Sequence, residues 1–401
     1  MGKPVKILVM NAGSSSHKAC LYQLPDPTPC WQGVVDWTKE LGQAVVTVKT
    51  NQGKWEQQLP APDRASVLQD FLGTIWQGER RVLERAEEIR VVGHRVVHGG
   101  RVYQQPVVID EQVKAAIREM SKFAPVHNPA NLAGIELVEQ VLPQVPQVAV
   151  FDTAFHSQMP LPAKVYPLPY RYFAQGIYRY GFHGISHQYV AGEAAKFLQR
   201  DLADLRLITC HLGNGCSLTA VRGGISVNTT MGFTPLAGVM MGTRSGDIDP
   251  GILIYLLREG MTAEDLDRLL NRESGLLGVS GVSNDLRAIL SVENNDRAKL
   301  AYDIFIHRLR GAIGSLMADL GGLDALVFTA GIGENSYKVR ADVCANWEFF
   351  GIKVNPDRNQ SRPCPVDISA ADSKVKVLVI PTQEDWAIAQ ACYEFVVKGV
   401  V

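Results

Sequence analysis

Short runs of apolar, mostly β-branched residues alternate along the chain with longer segments in which apolar positions recur at helical spacing. The short runs are typical of strands and the longer segments of amphipathic helices. The pattern predicts strands at 5–11, 18–24, 44–49, 89–98, 147–152, 325–331 and 376–382, and a strand–turn–strand segment at 205–224. It predicts helices at 63–76, 110–123, 131–142, 296–320 and 384–397, and one that begins within 181–198. Such an alternation indicates a mixed α/β fold.

Two stretches about 200 residues apart share one plan. "LVMNAGSSSHKACLY" (8–22) and "ITCHLGNGCSLTAV" (208–221) each consist of an apolar strand, a turn of small residues and a second apolar strand. A duplicated α/β unit would explain the recurrence and would place two anion-binding turns facing one cleft. Two unrelated hairpins are the alternative, because glycine-rich turns are common.

Length and charge limit the class of protein. A chain of 401 residues exceeds one ordinary core, so two domains are expected. A net charge of −1 lacks the basic excess of a nucleic-acid-binding protein. No apolar run is long enough to cross a membrane. We therefore expect neither nucleic acid nor membrane as a partner.

The cysteines indicate a reducing compartment. Their number is odd and no two have CxxC spacing; they are Cys20, Cys30, Cys210, Cys216, Cys344, Cys364 and Cys392. Unpaired cysteines within apolar runs are typical of reduced, packed residues. We expect a cytoplasmic protein without a zinc site.

Three turns of small residues are suited to phosphate. "HLGNG" (211–215) and "GIGEN" (331–335) each follow a predicted strand, as does the turn that begins at Asn11. Small side chains leave backbone N–H groups open to phosphate oxygens. No Walker loop and no GxGxxG motif occurs, so neither standard nucleotide fingerprint is present. The three turns together favour a nucleotide ligand.

Two arginines lie among glycines, Arg95 in "GHRVVHGG" and Arg244 in "MGTRSGDIDPG". A guanidinium group can donate two hydrogen bonds at once to phosphate or carboxylate. Bracing of the loop carbonyls is the structural alternative for either arginine.

Three carboxylates end predicted strands or begin helices. Asp152 follows the strand "VAVF" and could orient a reactant, or merely form a turn. Glu384 and Asp385 open the last helix, where acids are favoured by the helix dipole. One or two such carboxylates, with phosphate oxygens, could instead hold Mg²⁺.

His183 and His187 in "FHGISH" have the i, i+4 spacing of a helical metal pair. The acid of an HExxH motif and a nearby third ligand are both missing. A histidine beside a phosphate can instead donate a hydrogen bond to developing charge. With the turns, arginines and carboxylates, this set predicts phosphoryl transfer, in which positioning and charge neutralisation do most of the catalysis.

The chain resembles the acetate kinases of the acetate and sugar kinase/Hsp70/actin superfamily. Nine motifs carry the resemblance in the family's order, from Asn11 to Asp385: "NAGSSS", "HRVVHGG", "APVHNP", "VFDTAFH", "YGFHGISH", "HLGNG", "TPLAGVMMGTRSGDIDP", "GIGEN" and "PTQED". The resemblance implies two duplicated actin/hexokinase-like (ribonuclease H-like) domains with an interdomain active-site cleft. It implies an N-terminal domain of residues 1–151 plus 386–401, and a nucleotide-binding and dimerisation domain of residues 152–385.

The same resemblance implies roles for individual residues. The catalytic residues would be Asp152, Arg95, His183 and Arg244, and Asn11 and Glu384 would hold the metal. Acetate would be bound by Arg95 and a small apolar pocket of Val97, Val126, Phe182 and Pro235. ATP would contact Lys18, the turn His211, Leu212, Gly213, Asn214 and Gly215, the segment Asp285, Leu286 and Arg287, and the turn Gly331, Ile332, Gly333, Glu334 and Asn335.

The implied reaction is reversible, Mg²⁺-dependent transfer of the ATP γ-phosphoryl group to acetate, by direct in-line displacement, giving acetyl phosphate and ADP. Mn²⁺ could replace Mg²⁺, and a homodimer is expected. The sequence departs from the family pattern at Val126, where a leucine is expected, and at "QED", where "NEE" is usual. The smaller Val126 predicts slower but measurable use of propionate. A propionate kinase of the same family, or an actin/Hsp70-like ATP switch without kinase activity, remains the alternative.

Overall fold

The computed structural model describes residues 4–38, 42–61, 63–125, 127–360 and 364–401. Its contacts divide the chain into two compact units. The first unit comprises Met1–Ala154 and Gln383–Val401, and the second comprises Phe155–Thr382. The sequence analysis predicts a first domain of residues 1–151 plus 386–401, so each boundary of this contact-defined unit lies three residues from the predicted one.

The strands are β1 (Val5–Ala12), β2 (Ser16–Leu24), β3 (Trp31–Asp36), β4 (Gln43–Thr50), β5 (Gly53–Pro60), β6 (Ile89–Val96), β7 (Val107–Val108), β8 (Gln147–Phe151), β9 (Arg206–Leu212), β10 (Cys216–Arg222), β11 (Ile225–Thr229), β12 (Ala325–Thr329), β13 (Val366–Asp367) and β14 (Lys376–Val379). The helices are α1 (Arg64–Gly73), α2 (Glu111–Met120), α3 (Asn128–Val141), α4 (Leu161–Lys164), α5 (Arg171–Ala174), α6 (Gly184–Leu198), α7 (Pro250–Arg258), α8 (Ala263–Arg272), α9 (Gly275–Ser280), α10 (Leu286–Ser291), α11 (Asp296–Leu320), α12 (Ala330–Asn335), α13 (Tyr337–Cys344), α14 (Pro356–Gln360) and α15 (Glu384–Val397). Short 3₁₀ turns occur at Ala86–Glu88, Ala154–Gln158, Leu202–Asp204 and Glu348–Phe350.

The first unit is built on a sheet with the strand order β5-β4-β3-β2-β1-β6-β8-β7. The strands from β5 to β1 pair antiparallel, whereas β1, β6 and β8 run parallel to one another. The "NAGSSS" segment supplies the turn between β1 and β2, where Asn11 pairs with Lys18. The carboxyl ends of β1, β6 and β8 therefore lie at one edge of this sheet.

The second unit repeats the central part of that plan. Its sheet has the order β11-β10-β9-β12-β14-β13, in which β11, β10 and β9 are antiparallel and β9, β12 and β14 are parallel. The "HLGNG" segment again links the first two strands of its sheet. Three antiparallel strands followed by two parallel ones thus occur in each unit, and the predicted duplication is confirmed.

Helices α3 and α15 cover opposite faces of β6 in the first unit. Val92 packs in the cluster that contains Val138 of α3, whereas a Cβ on Gly93 would lie 2.7 Å from Ile388 and 2.6 Å from Cys392 of α15. Neighbouring strand residues point to opposite faces, which explains this division. The missing side chain of Gly93 allows α15, which carries Glu384, to lie directly against β6, which carries Arg95.

The sequence pattern missed several elements. "GIGEN" was predicted as a turn but forms the short helix α12, and five strands were not predicted: β3, β5, β7, β11 and β13. The β3 segment contains a glycine, and the β5 segment is polar and mostly exposed at the sheet edge, so neither shows the apolar pattern of a buried strand. Within the described residues, no helix is both long and apolar enough to cross a membrane.

Candidate active site

Arg95 and Asp152 form a two-point ion pair in the first unit. The Nε and Nη2 atoms of Arg95, near the end of β6, donate to the two carboxylate oxygens of Asp152 at 3.1 and 2.7 Å. Asp152 follows β8 directly, is 1% exposed, and its N–H bonds the carbonyl of Val96 at 2.9 Å. Burial alone would lower the pKa of Arg95, but Asp152 and Glu384 outweigh it and raise that pKa above its ordinary value. Arg95 is therefore a permanent cation held in a fixed orientation.

Glu384, in the first turn of α15, has an incompletely satisfied carboxylate. Its Oε1 is shielded from solvent and has no hydrogen-bond partner among the described residues. Burial and the charge of Asp152 raise the pKa of Glu384, whereas Arg95 and Lys18 oppose the rise. The neighbouring Asp385 accepts a weak bond from the Cys20 thiol at 3.5 Å, and burial raises its pKa as well.

The donor set at Glu384 fits a hard divalent cation. A positive ion near Oε1 would supply the partner that this shielded oxygen lacks. Among the described residues, no group of three or more His, Cys, Asp or Glu side chains is arranged to hold a metal. Mg²⁺ does not require such a group, because it is commonly held by one or two carboxylates, substrate phosphates and water.

The turn after β1 is stabilised by a hydrogen bond within it and by Arg64 of helix α1. Gly13 N–H closes it by donating to Ser16 O at 2.9 Å, and Arg64 Nη2 donates to Ser14 O at 2.8 Å. The Arg64 guanidinium lies 5.0 Å from the ring centre of Trp37, a cation–π contact. Of the predicted ligands here, Asn11 is half-buried and Lys18 is exposed.

Two buried asparagines of α3, which the sequence analysis missed, hold the ends of β1 and β6. Asn131 accepts the N–H of Val97 at 3.1 Å and donates to Ala12 O at 2.7 Å. Asn128 bonds both the N–H and the carbonyl of His98, each at 3.1 Å. Both asparagines lie on the core-facing side of α3, and polar residues at such helical spacing are the signal that could have identified them.

His183 opens helix α6 in the second unit with a left-handed backbone, φ 55° and ψ 24°. This conformation is uncommon for a residue with a side chain, and such strain clusters at functional sites. The imidazole stacks on His211, with ring centres 4.2 Å apart, and its Nδ1 lies 2.9 Å from Ser217 Oγ. His183 is thereby fixed next to the "HLGNG" turn.

The side chains of His183 and Arg244 both lie close to Gly215. A Cβ on Gly215 would lie 3.4 Å from His183 Cε1, 3.6 Å from His183 Nε2 and 3.5 Å from Arg244 Nη1. Arg244 Nη1 also donates to Pro235 O at 3.2 Å. Burial lowers the pKa of Arg244, and no carboxylate of the described residues pairs with it. A half-buried cation without an anionic partner, next to a histidine, is suited to a phosphoryl group.

The rest of the "HLGNG" turn contacts two other loops. Gly242 N–H donates to Asn214 O at 3.0 Å, and the amide of Asn284 donates to Asn214 Oδ1 at 3.2 Å. Gly213 N–H closes the turn on Gly215 O at 3.0 Å. Leu212 is completely buried, so none of its atoms reaches the surface.

The other predicted ATP-binding segments differ in how their side chains are used. Asp285 caps α10 by accepting Arg287 N–H at 2.8 Å, and the two side chains form an exposed ion pair, while Leu286 is buried. In α12, Glu334 Oε1 accepts the N–H groups of Ala330 and Thr382 at 2.8 and 3.1 Å. The carboxylate of Glu334 therefore holds the ends of β12 and β14 in place.

Helix α12 is exposed at Gly331 and Asn335. A Cβ on Gly331 would meet no atom within 4 Å, whereas Gly333 is buried near Phe328. The amide of Asn335 donates to Gly331 O at 2.9 Å, and Ile332 is half-buried.

The predicted acetate-pocket residues fall in both units. Val97 of the first unit is buried. In the second, Phe182 is buried directly before His183, and its carbonyl bonds His156 Nε2 at 3.0 Å. Pro235 is half-buried and contributes the carbonyl that Arg244 contacts. Val126 lies outside the described residues.

The first unit supplies Arg95, Asp152 and Glu384, and the second supplies His183 and Arg244. These cations and carboxylates, on a strand–turn–strand plan that occurs twice, define a phosphoryl-transfer enzyme, a kinase. A model of the acetokinase family matches residues 6–390, so the chain belongs to that family.

Similar proteins agree with this assignment. An acetate kinase of Cyanothece sp. is 57% identical over 98% of each chain. The crystal structure of Porphyromonas gingivalis acetate kinase is 40% identical, with a TM-score of 0.92, and the match covers 98% of this chain and 100% of that one. A propionate kinase from Francisella tularensis is 37% identical, with a TM-score of 0.89, over 96% of this chain and 98% of its own.

Gly215→Ala tests the convergence of His183 and Arg244. The added methyl would make ordinary contacts of 3.4–3.6 Å with both side chains, so we expect the protein to fold. The methyl would occupy the space between them, and kcat should fall by about 10- to 100-fold, less than the roughly 100- to 1,000-fold loss that follows complete removal of a transition-state donor. Gly192→Ala in α6, where a Cβ meets nothing within 4 Å, is the control. Unchanged kcat in Gly215→Ala would contradict a reactive role for this point.

Proposed function

We propose that the chain catalyses reversible transfer of the γ-phosphoryl group of ATP to acetate, giving acetyl phosphate and ADP by direct in-line displacement. The observation that carries the proposal is Arg95, a half-buried cation oriented by both oxygens of Asp152 next to the unsatisfied carboxylate of Glu384. Family membership supports the choice of a carboxylate acceptor.

The cations would bind the reacting oxygens. Arg95 bonds Asp152 through Nε and Nη2, which leaves its Nη1 to donate to the acetate carboxylate or the phosphoryl group. Arg244 and His183 would donate to the equatorial oxygens of the phosphoryl group, where charge is stabilised during transfer. Asp152 would act by orienting Arg95, and no covalent enzyme intermediate is needed.

Other residues would bind the substrates. The methyl of acetate would pack against Val97, Val126, Phe182 and Pro235. The turns at 211–215 and 331–335, with 285–287 and Lys18, would contact ATP. Glu384 and Asn11 would hold Mg²⁺ or Mn²⁺, which when bound neutralises phosphate charge.

Propionate is the second candidate substrate. The likeness to a Francisella tularensis propionate kinase and the valine at position 126 favour some activity with it. One methylene changes the free energy of binding in an apolar pocket by only about 1–3 kcal/mol. We therefore expect propionate to react more slowly than acetate.

A hydroxylamine-trapping assay tests the proposed reaction. Purified protein with ATP and Mg²⁺ should yield acetyl hydroxamate from acetate, less product from propionate, and none without the metal. Equal kcat/KM for acetate and propionate would reject the preference for acetate. ATP hydrolysis that does not depend on either acid, with no hydroxamate, would instead favour an ATP-driven switch.

Glu384→Gln tests the metal site. Removing the charge should raise the Mg²⁺ concentration needed for half-maximal activity and lower kcat by about 100-fold, equivalent to about 3 kcal/mol of barrier. Mn²⁺ binding, followed by electron paramagnetic resonance, should weaken in parallel without any turnover. Glu394→Gln, at the other end of α15, is the matched control. Unaltered Mn²⁺ affinity in Glu384→Gln would show that the metal lies elsewhere.

We also propose a homodimer formed through the second unit. Helix α7 is apolar, but none of its residues is buried, and it exposes Ile252, Ile254, Tyr255 and Leu257. Four large apolar side chains on one nine-residue helix favour a second copy of the same surface, because closed symmetric pairs are the commonest oligomers. The free cysteines support a cytoplasmic location, which cell fractionation would check.

Light scattering tests the dimer. The protein should have twice the 44.0 kDa mass of one chain, and Ile254→Arg should shift it toward the single-chain mass. Val102→Arg, which changes an exposed apolar residue of the first unit, should leave the dimer intact. A wild-type protein of single-chain mass at micromolar concentration would refute the assignment.

A further inference from the structure

A continuous chain of hydrogen bonds runs from His183 into the core of the second unit. His183 Nδ1 lies 2.9 Å from Ser217 Oγ, which lies 2.7 Å from His187 Nε2. The other ring nitrogen of His187, Nδ1, lies 2.7 Å from Thr209 Oγ1. Ser217, His187 and Thr209 are completely buried. The chain therefore has no access to water along these three residues.

Local structure explains why these groups meet. His183 and His187 are four residues apart, so they lie on one face at the start of α6, which packs against β9. Ser217 is on β10 and Thr209 on β9, the two strands joined by the "HLGNG" turn. Both histidines direct a ring nitrogen to the same Ser217 hydroxyl, so the i, i+4 pair is bridged by an oxygen atom of the protein.

The protons in this chain can be counted. Burial of His187 lowers its pKa well below the ordinary value, and repulsion by a positive charge on His156 or His211 lowers it further. The imidazole of His187 is therefore neutral and carries one N–H. Ser217 and Thr209 each have one hydroxyl proton. His187 has a single N–H, so it donates to one of its two hydroxyl neighbours and accepts from the other. Ser217 Oγ could also accept from both histidines, but its buried hydroxyl proton would then have no acceptor among the described residues, which is unfavourable. The bonds are therefore expected to point in one direction along the chain. Two alignments are possible.

In the first alignment Thr209 donates to His187 Nδ1, His187 Nε2–H donates to Ser217, and Ser217 donates to His183 Nδ1. Each proton then makes a bond of 2.7–2.9 Å. In the reverse alignment Thr209 accepts from His187 and must direct its own proton to Thr219 O, at 3.5 Å. That distance exceeds the 2.5–3.0 Å of an ordinary O–H···O bond, so the first alignment is favoured.

We propose that Ser217 and His187 are positioning residues that hold His183 in its Nε2–H tautomer, so that Nε2 donates to the transferred phosphoryl group. The inference rests on the proposed function, in which His183 contacts that group. In the first alignment Nδ1 of His183 accepts a bond, so a neutral imidazole must carry its proton on Nε2. Nε2 is also the nitrogen near the point shared with Arg244 Nη1. The opposite tautomer would present a lone pair to a phosphoryl oxygen.

Nuclear magnetic resonance of protein labelled with ¹⁵N-histidine tests the tautomer directly. The His183 signals are those absent from His183→Asn. In the wild type they should show a protonated Nε2 and an unprotonated Nδ1, and in Ser217→Ala this single form should be lost. A wild-type Nδ1–H tautomer, a doubly protonated ring, or a Ser217→Ala spectrum equal to the wild type would overturn the proposal. If Ser217→Ala does not fold, the wild-type spectrum still decides.

Kinetics give a second readout. Ser217→Ala should lower kcat by about 10- to 100-fold, less than complete loss of a transition-state donor, with KM values for ATP and acetate within about 3-fold. Ser217→Thr keeps the hydroxyl and should recover most of kcat. Thr219→Val is the matched control: it removes another buried hydroxyl bond, 2.8 Å to Thr229 Oγ1, from the same face of β10. Equal losses in Ser217→Ala and Thr219→Val would indicate a structural role only.

The two measurements separate failure of this inference from failure of the proposed function. The tautomer is read in resting protein and needs no turnover. A wild-type Nε2–H tautomer that depends on Ser217, with no acyl phosphate formed, would refute the reaction but not the hydrogen-bond chain. Acyl phosphate formation with His183 in another protonation state would refute the role of Ser217 and His187 alone.

Discussion

Parallel pairing at the centre of each sheet is the constraint on which the candidate site depends. Parallel strands end at the same edge, so residues far apart in sequence are delivered to one place without any side-chain bond between them. In the first unit this brings the ends of β1, β6 and β8 together, and with them Arg95 and Asp152. In the second unit the same arrangement aligns β9, β12 and β14. The turns then need only small residues to leave this edge open to a ligand.

Each unit keeps a charge that its own residues do not fully satisfy. Arg95 and Asp152 neutralise each other, but Glu384 retains an oxygen with no partner among the described residues. In the second unit Arg244 is half-buried without a carboxylate partner in the described part of the chain. Such groups cost free energy in the unliganded protein, since a buried polar group without a partner is destabilising. A metal ion at Glu384 and an anion at Arg244 would remove that cost, which links stability to ligand binding.

Backbone strain, and hydrogen bonds from buried residues behind the candidate site, fix the orientation of the site residues. His183 has a left-handed backbone conformation, and Ser217 and His187 fix its ring from the interior. Asn131 performs a comparable task in the first unit by tying Val97 to Ala12. In both units, buried polar residues of a helix or strand hold a site residue in place; the sequence analysis singled out His187, but not Ser217 or Asn131.

The sequence by itself determined the α/β class, the duplicated strand–turn–strand plan and the residue types at the candidate site. These follow from local periodicity and from small, cationic or acidic residues at predicted strand ends, which depend on only a few neighbouring positions. Tertiary structure alone decided that Asp152 bonds Arg95 at two points, that Glu334 accepts the N–H of Thr382 and that Ser217 lies between two histidines. Those outcomes depend on distances between residues separated by tens to hundreds of positions, and such distances arise only when the strands pair and the helices pack.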